Sequence, residues 1–190
     1  MSLAYRITLE ESATRVLRAE DEVTAALDVL EVLPAEQMAE LLRQACRQRG
    51  FSEQPDGTYR RQQGECTVVV HPQQGTVSVV IERERTVQQS ATRVVSGFDD
   101  IGARPQQLRA EGQKLLKQEI EKKFEQAQQQ LQRETADQLE RTLLELQPEI
   151  DAMVNEVLRE AIKIKARQMG QIREIHEDAT TGELMIRLEL

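Results

Sequence analysis

The chain of 190 residues contains no Trp, two Tyr, three Phe and two Cys. With so few aromatics, any core must be assembled from aliphatic side chains of modest area. Cys46 and Cys66 are too few for a disulfide framework, which points to a reducing, cytoplasmic setting with both as packed free thiols. The two histidines, His71 and His176, stand in no His-x-x-x-His or Cys-x-x-Cys pattern. No two glycines lie at Gly-x-Gly spacing, so there is no phosphate-cradling loop, and no Gly-x-Ser-x-Gly elbow occurs. No catalytic residue, cofactor site or metal site is therefore expected. No apolar run approaches the roughly 18 residues that span a bilayer, and Met1 to Arg6 lacks the order of a signal peptide. The net charge of −8 argues against general nucleic-acid binding and against an anionic membrane surface.

What the chain does have is a repeated pentapeptide. Ser-Ala-Thr-Arg-Val stands at Ser12 to Val16 and again at Ser90 to Val94. Thr8 matches Thr86 and Asp21 matches Asp99, while Leu9 and Leu17 meet Val87 and Val95. Self-similarity of this kind suggests two related halves. In each half the motif is followed by a helical segment and a β-hairpin ending in Gly-x-apolar-x-apolar-x-apolar, at Gly75 to Ile81 and at Gly182 to Leu188. His71 and His176 precede the two hairpin turns.

Alternation of Tyr5, Ile7 and Leu9 predicts a strand over 4–9, and a second strand is expected over 13–18. Glu20, Asp21 and Glu22 read as a charged turn, and 23–33 as a strand. Pro34 to Arg49 is a helix with Met38, Leu41, Leu42 and Ala45 on one stripe, stopped by Gly50. Pro55-Asp56-Gly57 is a turn. Strands follow at 59–62 and 67–70, then a return strand through Val77, Val79 and Ile81. From residue 106 the chain is rich in Gln, Glu, Lys and Leu, and Leu116, Ile120, Phe124, Ala127 and Leu131 step at helical spacing. After a slip near Thr135 the spacing resumes at Leu139, Leu143, Leu146, Ile150, Met153 and Val157.

Pro148 suggests a turn between two helices, 106–146 and 148–169, because the residue before proline resists helical geometry. A continuous helix would reach on the order of 90 Å. A final hairpin is expected around Thr180-Thr181-Gly182. The fold expected is α+β: an antiparallel sheet of two related strand-rich halves, residues 1–104 with 171–190 sharing one sheet. One short helix and a long helical hairpin, 105–170, complete it.

Heptad-like helices of mixed charge usually serve interaction or mechanics. Leu139, Leu143, Leu146, Ile150, Met153 and Val157 are accordingly candidates for binding a protein partner or for a homodimer through the helices; the alternative is packing on the chain's own sheet. The open edges of the sheet, which can accept another strand, are the other binding surface expected. The acidic groups Glu20-Asp21-Glu22 and Asp99-Asp100 lack the spacing of a calcium loop and read as solvated turns. A ligand- or metal-binding domain, or an enzyme, with a cleft between the halves using His71 and His176 is a second reading. RNA contact at Lys163, Lys165 and Arg167 is a third, although cations there also suit the end of a helix.

The run Gly170 to Ile175 continued by Thr181 to Leu188, set after a long Lys/Glu/Gln helix, resembles the end of small bacterial proteins of the FtsH ternary systems. Val29 to Met38 is similar in character. The likeness covers part of the chain. It implies a non-catalytic accessory subunit working with an FtsH-like AAA+ ATPase, and it brings no catalytic residue with it.

Overall fold

A computed structural model describes residues 4–98, 104–177 and 184–189. The architecture is α+β. In chain order the elements are β1 (Ala4–Ala26), α1 (Ala35–Gln48), β2 (Ser52–Glu53), β3 (Tyr59–Gln63), β4 (Cys66–His71), β5 (Thr76–Phe98), α2 (Pro105–Met169), β6 (Gln171–Glu177) and β7 (Leu184–Glu189). Five strands form an antiparallel sheet in the order β1-β5-β4-β3-β2, and β6 pairs with β7 in a separate two-stranded sheet. The expected turn at Thr180 to Gly182, the acidic pair Asp99-Asp100 and Gly102 lie outside the described residues.

The chain divides into two compact units. Unit 1 comprises Met1–Glu20 and Glu82–Asp137, and unit 2 comprises Asp21–Ile81 and Gln138–Leu190. β1, β5 and α2 contribute residues to both.

Unit 1 is a two-stranded ribbon with a helix on one face. Leu9, Leu17, Ala19 and Ala91 of the strands pack against Leu116, Ile120, Phe124 and Leu131 of the helix. Gly112 lets the helix approach: a Cβ there would overlap Leu9 Cδ1 and stand 3.3 Å from Val95 Cγ1. Gly112→Ala should therefore cost about 1–2 kcal/mol through overpacking, despite the helix preference for alanine. Adding Leu9→Ala should recover part of the loss contributed by Gly112→Ala. Urea titrations of the two single variants and the double would show it, and strictly additive costs would refute the overlap.

Unit 2 packs one face of the sheet against both helices. Tyr59, Cys66, Val68, Val70, Val77, Val79 and Ile81 meet Met38, Leu42, Ala45 and Cys46 of α1, together with Leu139, Leu146, Met153 and Val157 of α2. Gly50 ends α1 at φ +75, and Gly57 at φ +80 turns the chain beside Asp56, whose Oδ1 accepts from the Thr58 N–H and Oγ1–H.

Four expectations need correction. There is no helical hairpin, because α2 is one helix of 65 residues with Pro148 inside it. Pro148 deprives one carbonyl, four residues earlier, of its N–H. That residue, Leu144, is 65% exposed, so its turn lies on the solvent side, where its carbonyl is open to water. Leu146 and Met153, on either side of the proline, are both held in the core of unit 2. Next, the acidic triplet does not turn the chain: Glu20 and Glu22 point outward from an unbroken β1 and Asp21 is half-buried. The ladder to β5 fixes that backbone, and charge on a solvated strand face costs little.

Residues 27–33 are not a strand either. The Val29 N–H donates to the Leu27 carbonyl at 2.6 Å and the Val32 N–H to the Leu30 carbonyl at 2.9 Å, giving two successive three-residue turns that bury Leu27 and Leu33. Finally, the strands do not share one sheet. β6 and β7 satisfy each other from Gln171↔Glu189 to Glu177↔Leu184, with an irregularity between Ile172 and Glu174. Alternation reveals a half-buried strand, but not which sheet it joins.

Candidate functional site

The long strands of unit 1 explain where the repeated pentapeptide lies. β1 and β5 are neighbours of 23 residues each. Their cross-strand contacts run antiparallel: the Leu27 N–H to the Gly75 carbonyl (2.7 Å), Thr24 Oγ1 to Ser78 Oγ (2.6 Å), and Arg18 Nε to Glu84 Oε2 (2.9 Å). Continued along the ladder, that register sets Ser12 opposite Ser90. A local two-fold axis between these serines carries each copy of the pentapeptide onto the other. The environments agree with this: Val16 is 51% exposed and Val94 54%, while Ala13 and Ala91 both pack toward the helix. The two copies differ at their arginines. Arg15 stacks over the Phe124 ring at 4.7 Å and pairs with Glu121, whereas Arg93 points into solvent.

The outer face of this ribbon carries Ser12, Thr14, Val16, Ser90, Thr92 and Val94, all exposed. These six are uncharged in a chain that is 31% Asp, Glu, Lys and Arg, and Glu10, Arg18 and Glu84 share the face with them. Among the described residues both edges of the ribbon are open: β1 is the terminal strand of its sheet, and the pairing of β4 with β5 ends at Cys66↔Ile81, which leaves β1 beside β5 beyond Ile81. Open β edges with β-branched side chains are templates for a further strand. The sequence signal is the low charge of Thr86 to Val95, which holds one ionisable residue, Arg93.

The residues singled out for partner binding lie in unit 2. Leu139, Leu146, Met153 and Val157 are buried in its core, and Leu143 and Ile150 pack half-buried against it. A partner reaching the four buried ones would have to displace the chain's own sheet. The slip near Thr135 disappears in the structure. Thr135 is 1% exposed and donates its hydroxyl to the Leu131 carbonyl at 2.7 Å; Thr142 likewise donates to the Gln138 carbonyl at 3.0 Å. Each threonine occupies a stripe position with its polar atom satisfied by its own helix.

One charged pair stands out in unit 2. Arg61 of β3 grips Glu149 with two hydrogen bonds of 2.6 and 2.7 Å, donates to the Arg49 carbonyl at 3.1 Å and lies 4.5 Å over the Phe51 ring. The Arg61 side chain is 19% exposed and that of Glu149 36%. The bidentate hydrogen bond from Arg61 holds the Glu149 carboxyl below the ordinary carboxylate range, against the opposing pull of burial.

The remaining candidates separate. Cys46 and Cys66 are buried free thiols, and burial pushes the Cys46 thiol up to about 11. His71 closes β4 in the five-stranded sheet, and His176 is exposed on β6 in the other. Among the described residues no group of three or more His, Cys, Asp or Glu is placed to hold a metal ion. Lys163 pairs with Glu160 at 2.9 Å, and Lys165 and Arg167 are exposed near the end of α2. No described helix is long and apolar enough to cross a membrane.

These features define an α+β protein whose open strand edges, among the described residues, flank a β face rich in Ser, Thr and Val. The chain belongs to the family FtsH ternary system domain X5, whose model matches residues 1–190. No curated protein and no solved structure matches it.

Proposed function

We propose that this chain is a non-enzymatic adaptor or structural subunit of a bacterial FtsH ternary system, acting in the cytoplasm. Its partner is a protein, the AAA+ ATPase of the system, held by strand addition to the ribbon of unit 1. The observation that carries this reading is the pair of open edges on β1 and β5, flanking an outer face of Ser, Thr and Val and backed by a helix. Main-chain hydrogen bonds along such an edge supply affinity, and alternate side chains on the face supply selectivity. The family supports the setting, since it is named for an FtsH ternary system. The related halves fit the same reading: a duplicated ribbon strand would explain why both copies of the pentapeptide occupy matching ladder positions.

Lysine on an edge strand discourages strand addition. The double variant Val16→Lys with Val94→Lys alters two exposed side chains, so folding should be nearly unchanged, within about 0.5 kcal/mol. Capture of the FtsH-type ATPase by the tagged chain should drop about tenfold. Capture at the wild-type level by a normally folded variant would overturn the assignment of this surface.

A further inference from the structure

Leu30 is the most exposed of the large hydrophobic residues described, at 70%. It is not on a loose loop. The two successive three-residue turns across 27–32 hold it outward while Leu27 and Leu33 anchor both ends in the core of unit 2. On its two sides stand the exposed carboxylates Asp28 and Glu31. The chain therefore displays a preformed apolar knob with an acidic collar.

Two residues further on, Val32 lines an apolar groove of about 260 Å³. Its other walls are Ile162, Ala166 and Met169 from the last turns of α2 and Leu184 and Ile186 from β7, with Lys165 on the rim. Ile162 and Met169 are exposed, as is Met185 on the adjoining hairpin. A two-stranded hairpin alone is marginal in water and gains from cover. An apolar groove with a cationic rim calls for an apolar side chain flanked by carboxylates.

We propose that the occupant of this groove is Leu30 of a second copy of the chain. The charges complement each other, Asp28 and Glu31 of one copy meeting Lys165 of the other. Knob and groove are two residues apart on the same unit. One two-fold axis therefore lets each copy fill the other's groove, and the contact closes at two. The contact is small, so the dimer should be weak, with a Kd of about 1–10 μM. This surface lies wholly within unit 2, apart from the ribbon assigned to the ATPase, so either assignment can fail without the other.

Sedimentation velocity on the full chain over about 1–100 μM, a range that brackets that Kd, tests it. The wild type should move with concentration from 21.7 kDa toward twice that mass. Leu30→Asp should remain monomeric with an unchanged circular dichroism spectrum, and so should Met169→Glu on the groove side. Lys165→Glu should weaken association about tenfold, and adding Glu31→Lys to Lys165→Glu should restore it. A wild type that stays monomeric throughout, Leu30→Asp or Met169→Glu dimers of wild-type strength, or a charge swap no better than Lys165→Glu alone would each overturn the proposal.

Discussion

Replacing Phe124 with alanine is expected to melt unit 1 while unit 2 remains folded. Phe124 is the one aromatic among the eight described buried residues of this core, the rest being leucine, isoleucine and alanine. Its ring also carries the guanidinium of Arg15, which Glu121 holds from the same helix. Truncating a buried phenylalanine costs about 3–5 kcal/mol, a large part of the 5–15 kcal/mol that holds an ordinary domain together. Unit 1 has no second aromatic among its described core residues to refill the space, since the strand side offers Leu9, Leu17 and two alanines buried, with Ile7, Ala13, Val87 and Val95 half-buried against them. A urea titration followed by circular dichroism should split, with an early phase absent from the wild type. A single transition at the wild-type midpoint would refute the claim that unit 1 depends on this ring.

The second large effect is expected at Arg61. Arg61→Ala strands the Glu149 carboxylate, empties the space over Phe51 and releases the Arg49 carbonyl. Removing one partner of a fully buried ion pair costs about 3–5 kcal/mol, and because Glu149 keeps about a third of its exposure the figure here is nearer 2–3 kcal/mol. Much of that cost is the abandoned charge, so Arg61→Met together with Glu149→Leu should recover most of the stability. Thermal denaturation of the single and double variants would decide it; a double variant as unstable as Arg61→Ala would count against the argument. The pH dependence has a definite sign. Glu149 has a folded-state pKa below its unfolded one, so its contribution is complete above the ordinary carboxylate range. It is lost as pH falls through the depressed folded value. The Arg61→Ala variant should therefore lose less stability than the wild type on acidification through that window.

Helical and strand periodicity make most of the architecture legible in the sequence. The stripe from Leu116 to Val157 and the alternation of Val77, Val79 and Ile81 each report a face, and the structure buries those faces. Inference from single residues is what fails. Pro148 and the acidic run Glu20-Asp21-Glu22 carry strong local preferences, yet α2 and β1 pass through both because tertiary packing and cross-strand pairing outweigh them. Thr135 reads as a break because hydroxyl groups are not counted as core, although its own helix satisfies it. The candidate site is the least legible part. A heptad stripe at Leu139 to Val157 says that something covers it, not whether the cover is another chain or a strand encoded earlier. Open edges are expected of any sheet, but an unpaired backbone has no side-chain signature, so only the low charge of Thr86 to Val95 hints at which strands carry them.

The register that joins Leu27 to Gly75 also has a consequence in time. β1 is made before β5, its strand partner among the described residues, which is completed at Phe98. At about 5–20 residues per second, β1 waits on the order of 4–15 s for the rest of its ladder. Closing a loop of about 50 residues then costs about 3–4 kcal/mol, once. Every later pair, from Leu27 and Gly75 out to Ala4 and Phe98, forms without a further loop to close. A long strand kept waiting on the ribosome invites the wrong partner, and charge placed within such a segment works against that. Glu10, Glu11, Glu20, Asp21 and Glu22 lie along β1. The acidic run that resembles a turn is thus suited, by its charge, to guard a strand that waits for β5.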